Sequence, residues 1–370
     1  MIIGIDASRA NDDKKTGVGW YAYNTIQELK KIIPDNVRVV LYSRESLKGD
    51  LAVLPENWSV KVLKWPPKRF WTQMRLSWEM LFHSPNVLFI PAHVFPIIHP
   101  KKTVMAIHDI AAVKFPGSYN WFERWYTIWS AKYALKKLWK IITISKFTKN
   151  ELKNEFGARG ALVCADNLNL EKVKITYLGY NKEYKEASEN INEVLKKYNI
   201  EKPYLFSVGR LEKKKNTIRI IKAFERIRHK TDDLKLVLVG SPGHGYEKVK
   251  DAIENSAYKE DIIVPGWVEN NDLPALMQGA DVFVFPSLYE GFGIPVLEAF
   301  VSGTPVVASP GASQEIGGDA CEYVDPLDVD DIVRGIEKAR QGNNIKRGKE
   351  RVKNFSWEKC ARETWEVLSQ

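Results

Sequence analysis

Cysteine is scarce in this chain. Its 370 residues hold three, Cys164, Cys321 and Cys360, odd in number and far apart. They suit neither a disulfide framework nor a clustered metal site, which excludes small cross-linked secreted classes and fits a reducing, cytoplasmic compartment. Long apolar runs are also missing, since none approaches the roughly 18 residues of a spanning helix. The segment Met1–Asp6 carries an acid where a secretory leader would be apolar, and predicts a first strand instead. Low-complexity tracts are absent, and 44% hydrophobic with 27% charged residues is the composition of a packed globular chain. This length allows two domains, each with its own core. No Asp-x-Asp pair falls at the end of a predicted first-half strand. The Asp232-Asp233 and Asp330-Asp331 pairs read as helix-flanking surface charge, so no metal is expected.

Acidic residues are nearly missing from one stretch. Between Lys61 and Lys140 stand 13 Lys and Arg against Glu79, Asp109 and Glu123, a local balance of +10 in a chain of net charge +9. The same window holds Trp65, Trp71, Trp78, Trp121, Trp125, Trp129 and Trp139, seven of the twelve tryptophans. Basic residues interleaved with indoles suit an anionic membrane surface, where indoles settle at headgroup level. Nucleic acid favours similar residues, but no nucleic-acid motif accompanies them. Core packing under a solvated basic face is the third reading. Trp71, Arg75 and Trp78 are spaced to share a helical face beside Lys68 and Arg69, and Trp121, Trp125 and Trp129 repeat that spacing. Docking on an anionic membrane is the expectation taken forward, with nucleic acid excluded as a partner.

Short β runs alternate with amphipathic helical stretches throughout, the pattern of a parallel sheet covered on both faces. Strands are predicted at Ile2–Ser8, Val37–Ser43, Val60–Leu63, Val87–Pro91, Thr103–His108 and Ile141–Ile144. A second set falls at Tyr204–Val208, Leu236–Val239, Ile262–Pro265, Val282–Phe285, Pro305–Ala308 and Glu322–Val324. The polar stretch Asn181–Lys202 between the sets reads as a linker with a small helix at its end.

The stretch Asp281–Glu298, DVFVFPSLYEGFGIPVLE, runs from a strand through a glycine-rich turn into a helix. That arrangement is an anion site, because free backbone N–H groups and the helix dipole face an incoming phosphate. Glu290 falls in the turn and Glu298 about two turns into the helix, roughly 10–12 Å away at ~1.5 Å rise per residue. The pair suits an elongated polar ligand held at both ends. Upstream, the loop Gly209-Arg210-Leu211-Glu212-Lys213-Lys214-Lys215 spaces Arg210 and Lys215 so that both can converge on one ligand. Arg supplies a fixed fork for phosphate oxygens and Lys a mobile point charge.

The run Glu290–Ala299, followed by Ser302-Gly303-Thr304-Pro305, closely resembles the signature of retaining glycosyltransferases of family 4, and mannosyltransferase-like members in particular. The resemblance extends over nearly the whole chain and is strongest from Tyr204 to Asp328. It departs at Ser313-Gln314-Glu315, where relatives commonly have Pro before the Glu. It implies an α/β protein of GT-B fold, two doubly wound Rossmann-like domains facing a central cleft. Residues 1–185 would form an acceptor domain and 186–355 a nucleotide-sugar domain, with helix 356–370 packing back on the first.

Carried over by residue, Arg210 and Lys215 would hold the donor diphosphate, Glu290 would accept hydroxyls of the donor sugar, and Glu298 would grip the ribose. The backbone at Phe292, Gly293 and Ile294 would meet the phosphates, with Gly209, Gly240 and Ser241 near the nucleotide. Gly17 and Gly19 match the family's glycine loop. His108 would contact the donor sugar near the reacting carbon, and Asp109 would orient it. Ser145–Thr148 needs no reading beyond a helix start. The implied reaction is metal-independent transfer of a hexose, mannose from GDP-mannose, onto a glycan or lipid-linked saccharide in cell-surface polysaccharide synthesis. The nucleotide sugar is a co-substrate and no cofactor is expected. The implied place is the cytoplasmic face of the membrane. A UDP- or dTDP-sugar-dependent glucosyl, GlcNAc or rhamnosyl transferase, or a non-catalytic sugar-nucleotide-binding protein, stands as the alternative.

Overall fold

The computed structural model describes residues 1–66, 70–157, 170–185, 190–231 and 233–370. Lys68, Arg69, Cys164 and Asp232, named above, lie outside the described residues. The chain divides into two compact units, Met1–Gly179 with Phe355–Gln370, and Tyr180–Asn354.

The first unit is built on β1 (Ile2–Asp6), β2 (Arg38–Ser43), β3 (Trp58–Val62), β4 (Val87–Ile90), β5 (Lys102–Ile107), β6 (Lys140–Thr143) and β7 (Val173–Ile175). All pair in parallel, in the order β3-β2-β1-β4-β5-β6-β7. Central strands such as Val87-Leu88-Phe89-Ile90 are apolar throughout because both sheet faces are covered. The strand order reverses between β1 and β4, so the crevice outside their carboxyl ends is a switch point where ligands bind in open α/β sheets. Helix Gly17–Ile32 buries Tyr21, Ala22, Ile26 and Leu29 along one stripe and packs on the C-terminal helix Trp357–Leu368. Ser356 caps that last helix by accepting the Lys359 N–H.

The second unit repeats the plan with β8 (Tyr204–Val208), β9 (Lys235–Val239), β10 (Ile262–Gly266), β11 (Val282–Phe285), β12 (Val306–Ala308) and β13 (Glu322–Tyr323). The order is β10-β9-β8-β11-β12-β13, again parallel, with its switch point between β8 and β11. Its core packs Ile220, Phe224 and Ile227 of helix Thr217–Arg228, and Ile332 and Ile336 of helix Val329–Ala339, against Leu236, Leu238 and Val284. Both units are therefore doubly wound and Rossmann-like, as expected.

Two expectations change. The three-residue edge strand β7 and helices Ala312–Gly317 and Ile345–Arg351 are additions, too short to show a period in sequence. The helix over Trp71–Phe82 opens as a π-helix at Trp71–Leu76 and becomes α-helical only at Ser77–Phe82. Its wider turn separates two residues expected on one face. Trp71 is buried, its Nε1–H donating to the Leu63 carbonyl at 2.7 Å, whereas Trp78 faces solvent. The second tryptophan stripe does share a face, with Trp125 stacked on Trp129.

Candidate functional site

In the second unit, the loops leaving β8, β9 and β11 meet. Gly209 and Gly240 follow β8 and β9 with φ of +147° and +146°. A Cβ on Gly240 would lie 1.9 Å from the Gly209 carbonyl oxygen, so only glycine allows this crossing. The Gly209 N–H donates to the Val239 carbonyl and the Leu211 N–H to the Ser241 carbonyl, which fixes the path of the basic loop. Ser241 thus enters through its backbone. Arg210, between these anchors, projects into solvent.

Lys215 ends a single 3₁₀ turn and lies over the Phe285 ring, Nζ 5.0 Å from the centroid. Its Nζ donates to Glu290 Oε1 at 2.5 Å, an ion pair in which both side chains are largely buried. The loop after β8 and the loop after β11 are therefore joined by charge at the switch point. Two further bonds brace them. The Leu288 N–H donates to the Lys214 carbonyl at 2.8 Å. Asn216, in the left-handed region at φ +62°, donates through Nδ2 to the carbonyls of Pro286 and Pro326. No role was assigned to Asn216 from sequence, although an Asn ahead of a helix is a recognisable turn signal.

Gly293, at φ +112°, caps helix Ile294–Ser302 without a side chain, and Pro295 occupies its first turn. The helix entrance therefore receives no side-chain cap from its N-cap residue. Phe292 is buried beneath it and Ile294 partly so. Among the described residues the buried hydroxyls of Ser287 and Ser313 have no hydrogen-bond partner, and Ser313 Oγ is 3.5 Å from where a Cβ of Gly293 would stand. Glu298 lies on the second turn, against the Tyr184 hydroxyl. Burial pushes its carboxyl up to about 7, partly countered by the Tyr184 hydrogen bond.

In the first unit, Gly17 opens helix Gly17–Ile32 and Gly19 lies under the Arg9 carbonyl. His108 follows β5 and is buried. Its Nε2 stands 3.2 Å from the Pro91 carbonyl, which can only accept, so Nε2 carries the proton and Nδ1 is the acceptor nitrogen. Burial, reinforced by neighbouring His93, pushes the imidazole down to about 3, leaving it neutral at physiological pH. Tyr21 and His93 hold the ring edge-on, at 4.6 and 5.1 Å. Asp109 Oδ1 accepts the Ala111 N–H at 2.9 Å, and the Pro91 carbonyl meets the His108 ring. Nothing in the sequence around His108 points to Pro91, 17 residues away. Ser145 caps its helix by accepting the Thr148 N–H, and the Thr148 hydroxyl donates to the His108 carbonyl.

Among the described residues, no group of three or more His, Cys, Asp or Glu is placed to hold a metal ion. Cys321 and Cys360 are buried, and burial pushes both thiols up to about 12. Among the described residues, no helix is long and apolar enough to cross a membrane.

Comparison with known proteins adds a chain-wide context. The family model for glycosyl transferases group 1 matches residues 179–354, and that for glycosyltransferase family 4 matches residues 15–164. O-antigen chain mannosyltransferase B of Escherichia coli is 29% identical over 308 residues, 81% of this chain and 76% of that protein. O-antigen chain mannosyltransferase RfbU of Salmonella typhimurium is 23% identical over 284 residues, 76% of this chain and 72% of that protein. Among solved structures, Anabaena HepE in complex with UDP-glucose superposes with a TM-score of 0.73 at 16% identity, covering 100% of this chain and 99% of that one.

Proposed function

The chain belongs to glycosyltransferase family 4, and from that premise we propose that it is a retaining mannosyltransferase, using GDP-mannose to extend a lipid-linked saccharide at an anionic membrane surface. That it is a glycosyltransferase follows from the two family models, which together span most of the chain. Mannose is favoured because relatives covering about three quarters of the chain are O-antigen mannosyltransferases.

The observation that carries the reading is the Lys215–Glu290 pair at the switch point, next to the Gly293-capped helix. Lys215 and exposed Arg210 are the cations for a departing diphosphate, whose charge grows in the transition state, so they stabilise it more than the ground state. The arriving phosphate competes for the Lys215 ammonium and frees Glu290 to accept sugar hydroxyls. The helix entrance adds its dipole to the same charge. The neutral His108 imidazole offers a hydrogen bond to a sugar hydroxyl and not a cationic acid.

Transfer proceeds on one face of the sugar. The bond from the anomeric carbon to the phosphate oxygen breaks as the acceptor oxygen bonds the same carbon. The acceptor proton passes to the leaving phosphate oxygen, so configuration is retained without an enzymic nucleophile or a metal. A hydrolysis panel over GDP-, UDP- and dTDP-sugars tests the donor, with NMR of the released sugar reporting anomeric configuration. GDP-mannose consumed in preference, with α configuration first released, is the expected result. A preferred UDP- or dTDP-sugar would replace the donor, and β product would overturn retention.

A further inference from the structure

Several of the most exposed apolar side chains of the first unit stand on two helices and one loop. Trp78 and Phe82, at the end of the Trp71–Phe82 helix, are 62% and 60% exposed. Ile97, on the loop after β4, is 59% exposed, and its N–H donates to Ser77 Oγ at 2.8 Å, tying that loop to the helix. Trp121 and Trp125 start helix Trp121–Lys137 and are 79% and 55% exposed. Phe70 links this helix to the first, its ring edge-on to Phe122 at 6.0 Å, and Phe122 in turn stacks on Tyr126 at 6.3 Å. Two helices and a loop, tied to one another at Ser77 and at Phe70, therefore carry exposed aromatic and aliphatic side chains. Single exposed apolar residues are ordinary, but a contiguous aromatic patch marks an interaction surface.

The rim of the face is basic. Lys64 after β3, Lys101 and Lys102 at the start of β5, and Arg124 on helix Trp121–Lys137 are exposed on these and the adjoining segments. Of the acids in this stretch, Glu79 is buried and neutralised by Lys61 and Arg75, and Glu123 stands among exposed residues. An indole-rich centre with a cationic rim complements an anionic bilayer, which offers an apolar interior beneath negative headgroups and needs no shaped partner. We propose that this face inserts into the headgroup region of an anionic bilayer, with Trp78, Trp121 and Trp125 as its anchors. The inference extends the proposed function by naming the surface on which a lipid-linked acceptor is met, but its observations are independent of the donor. Insertion differs from adsorption. Salt removes attraction between exposed charges, whose reach shrinks to roughly 3 Å at 1 M, whereas indole held away from water is insensitive to it.

Co-sedimentation of the full chain with glycan-free vesicles, read alongside tryptophan emission, tests this. Phosphatidylglycerol-containing vesicles should bind it with a blue shift, phosphatidylcholine vesicles should bind it several-fold less, and part of the binding should survive about 0.5 M salt. The variant carrying Trp78→Ser, Trp121→Ser and Trp125→Ser should partition at least roughly tenfold more weakly with unchanged melting. These side chains are exposed, so the fold does not need them. No binding to either lipid, equal binding by the triple variant, or complete loss at high salt would each overturn insertion. So would an unshifted emission accompanied by self-association, which would make the face an interface between copies. Donor hydrolysis on the same samples separates the two readings. Vesicle binding without hydrolysis of any sugar nucleotide removes the proposed function and leaves the docking face intact.

Discussion

Replacing Glu298 by glutamine should stabilise the protein above neutral pH and weaken nucleotide binding, two effects from one carboxyl. Its folded-state value of about 7 stands above the ordinary 4.5 because the side chain is held away from water beside Tyr184. Below about 4.5 the group is protonated in folded and unfolded chains alike and contributes no pH dependence. Between about 4.5 and 7 the folded chain keeps a proton that the unfolded chain has lost, so stability falls as pH rises and levels off above 7. The full difference is on the order of 3 kcal/mol. The amide introduced by Glu298→Gln carries no charge to desolvate. At pH 8 the variant should therefore melt higher by up to roughly 6–12 °C, and the two proteins should converge near pH 4.5. Ribose hydroxyls donating to the ionised carboxylate would favour its charged form, so nucleotide binding expels a proton. Wild-type affinity for GDP should fall about tenfold per pH unit below 7, while the glutamine variant binds more weakly at pH 8 and shows no such slope. Calorimetric titration at pH 6, 7 and 8, in two buffers of different ionisation heat, measures affinity and proton release together. A wild-type affinity independent of pH, with no proton released, would refute the ribose assignment. A melting profile identical in the two proteins would refute the buried ionised carboxyl.

Arg210→Ala and Lys215→Ala should each lower turnover by roughly 10²-fold. Melting should fall more for Lys215→Ala, which leaves the largely buried Glu290 carboxylate without its cation, than for Arg210→Ala, whose side chain is exposed. Near-normal turnover in the folded double variant would remove the diphosphate role. Gly240→Ala should cost at least roughly 3 kcal/mol in urea unfolding, since its Cβ meets the Gly209 carbonyl at 1.9 Å in a backbone conformation alanine resists. Wild-type stability there would mean that the β8 and β9 loops do not cross as described. Activity should survive EDTA unchanged, and its abolition would reveal a metal ligand set beyond the residues named above.

The architecture was readable because a buried parallel strand leaves a blunt signal. Val282-Phe283-Val284-Phe285 and Tyr204–Val208 are apolar runs bounded by Gly, Pro or Asp, and the observed strands match them residue for residue. The β8 and β11 loops were readable for a related reason, since glycine at a turn and charge beside it stand out against the core. What escaped was set by geometry acting across the sequence. Pro91 meets His108 only because β4 and β5 lie side by side, and Lys215 meets Glu290 only because β8 and β11 are neighbours at the order reversal. Neither partner could be chosen from spacing. The tryptophans show the same limit on a smaller scale. A 3.6-residue period places Trp71 with Trp78, but one π-turn between them sends the first into the core and the second to solvent. Composition therefore identified a basic, indole-rich surface, while the backbone decided which indoles belong to it. Trp78, Trp121 and Trp125 remain exposed after Trp71 is taken inward, and they stand on segments tied by Ser77 and Phe70. A face assembled by such specific ties, and left apolar at its centre, is harder to explain as incidental surface than a run of tryptophans in the sequence.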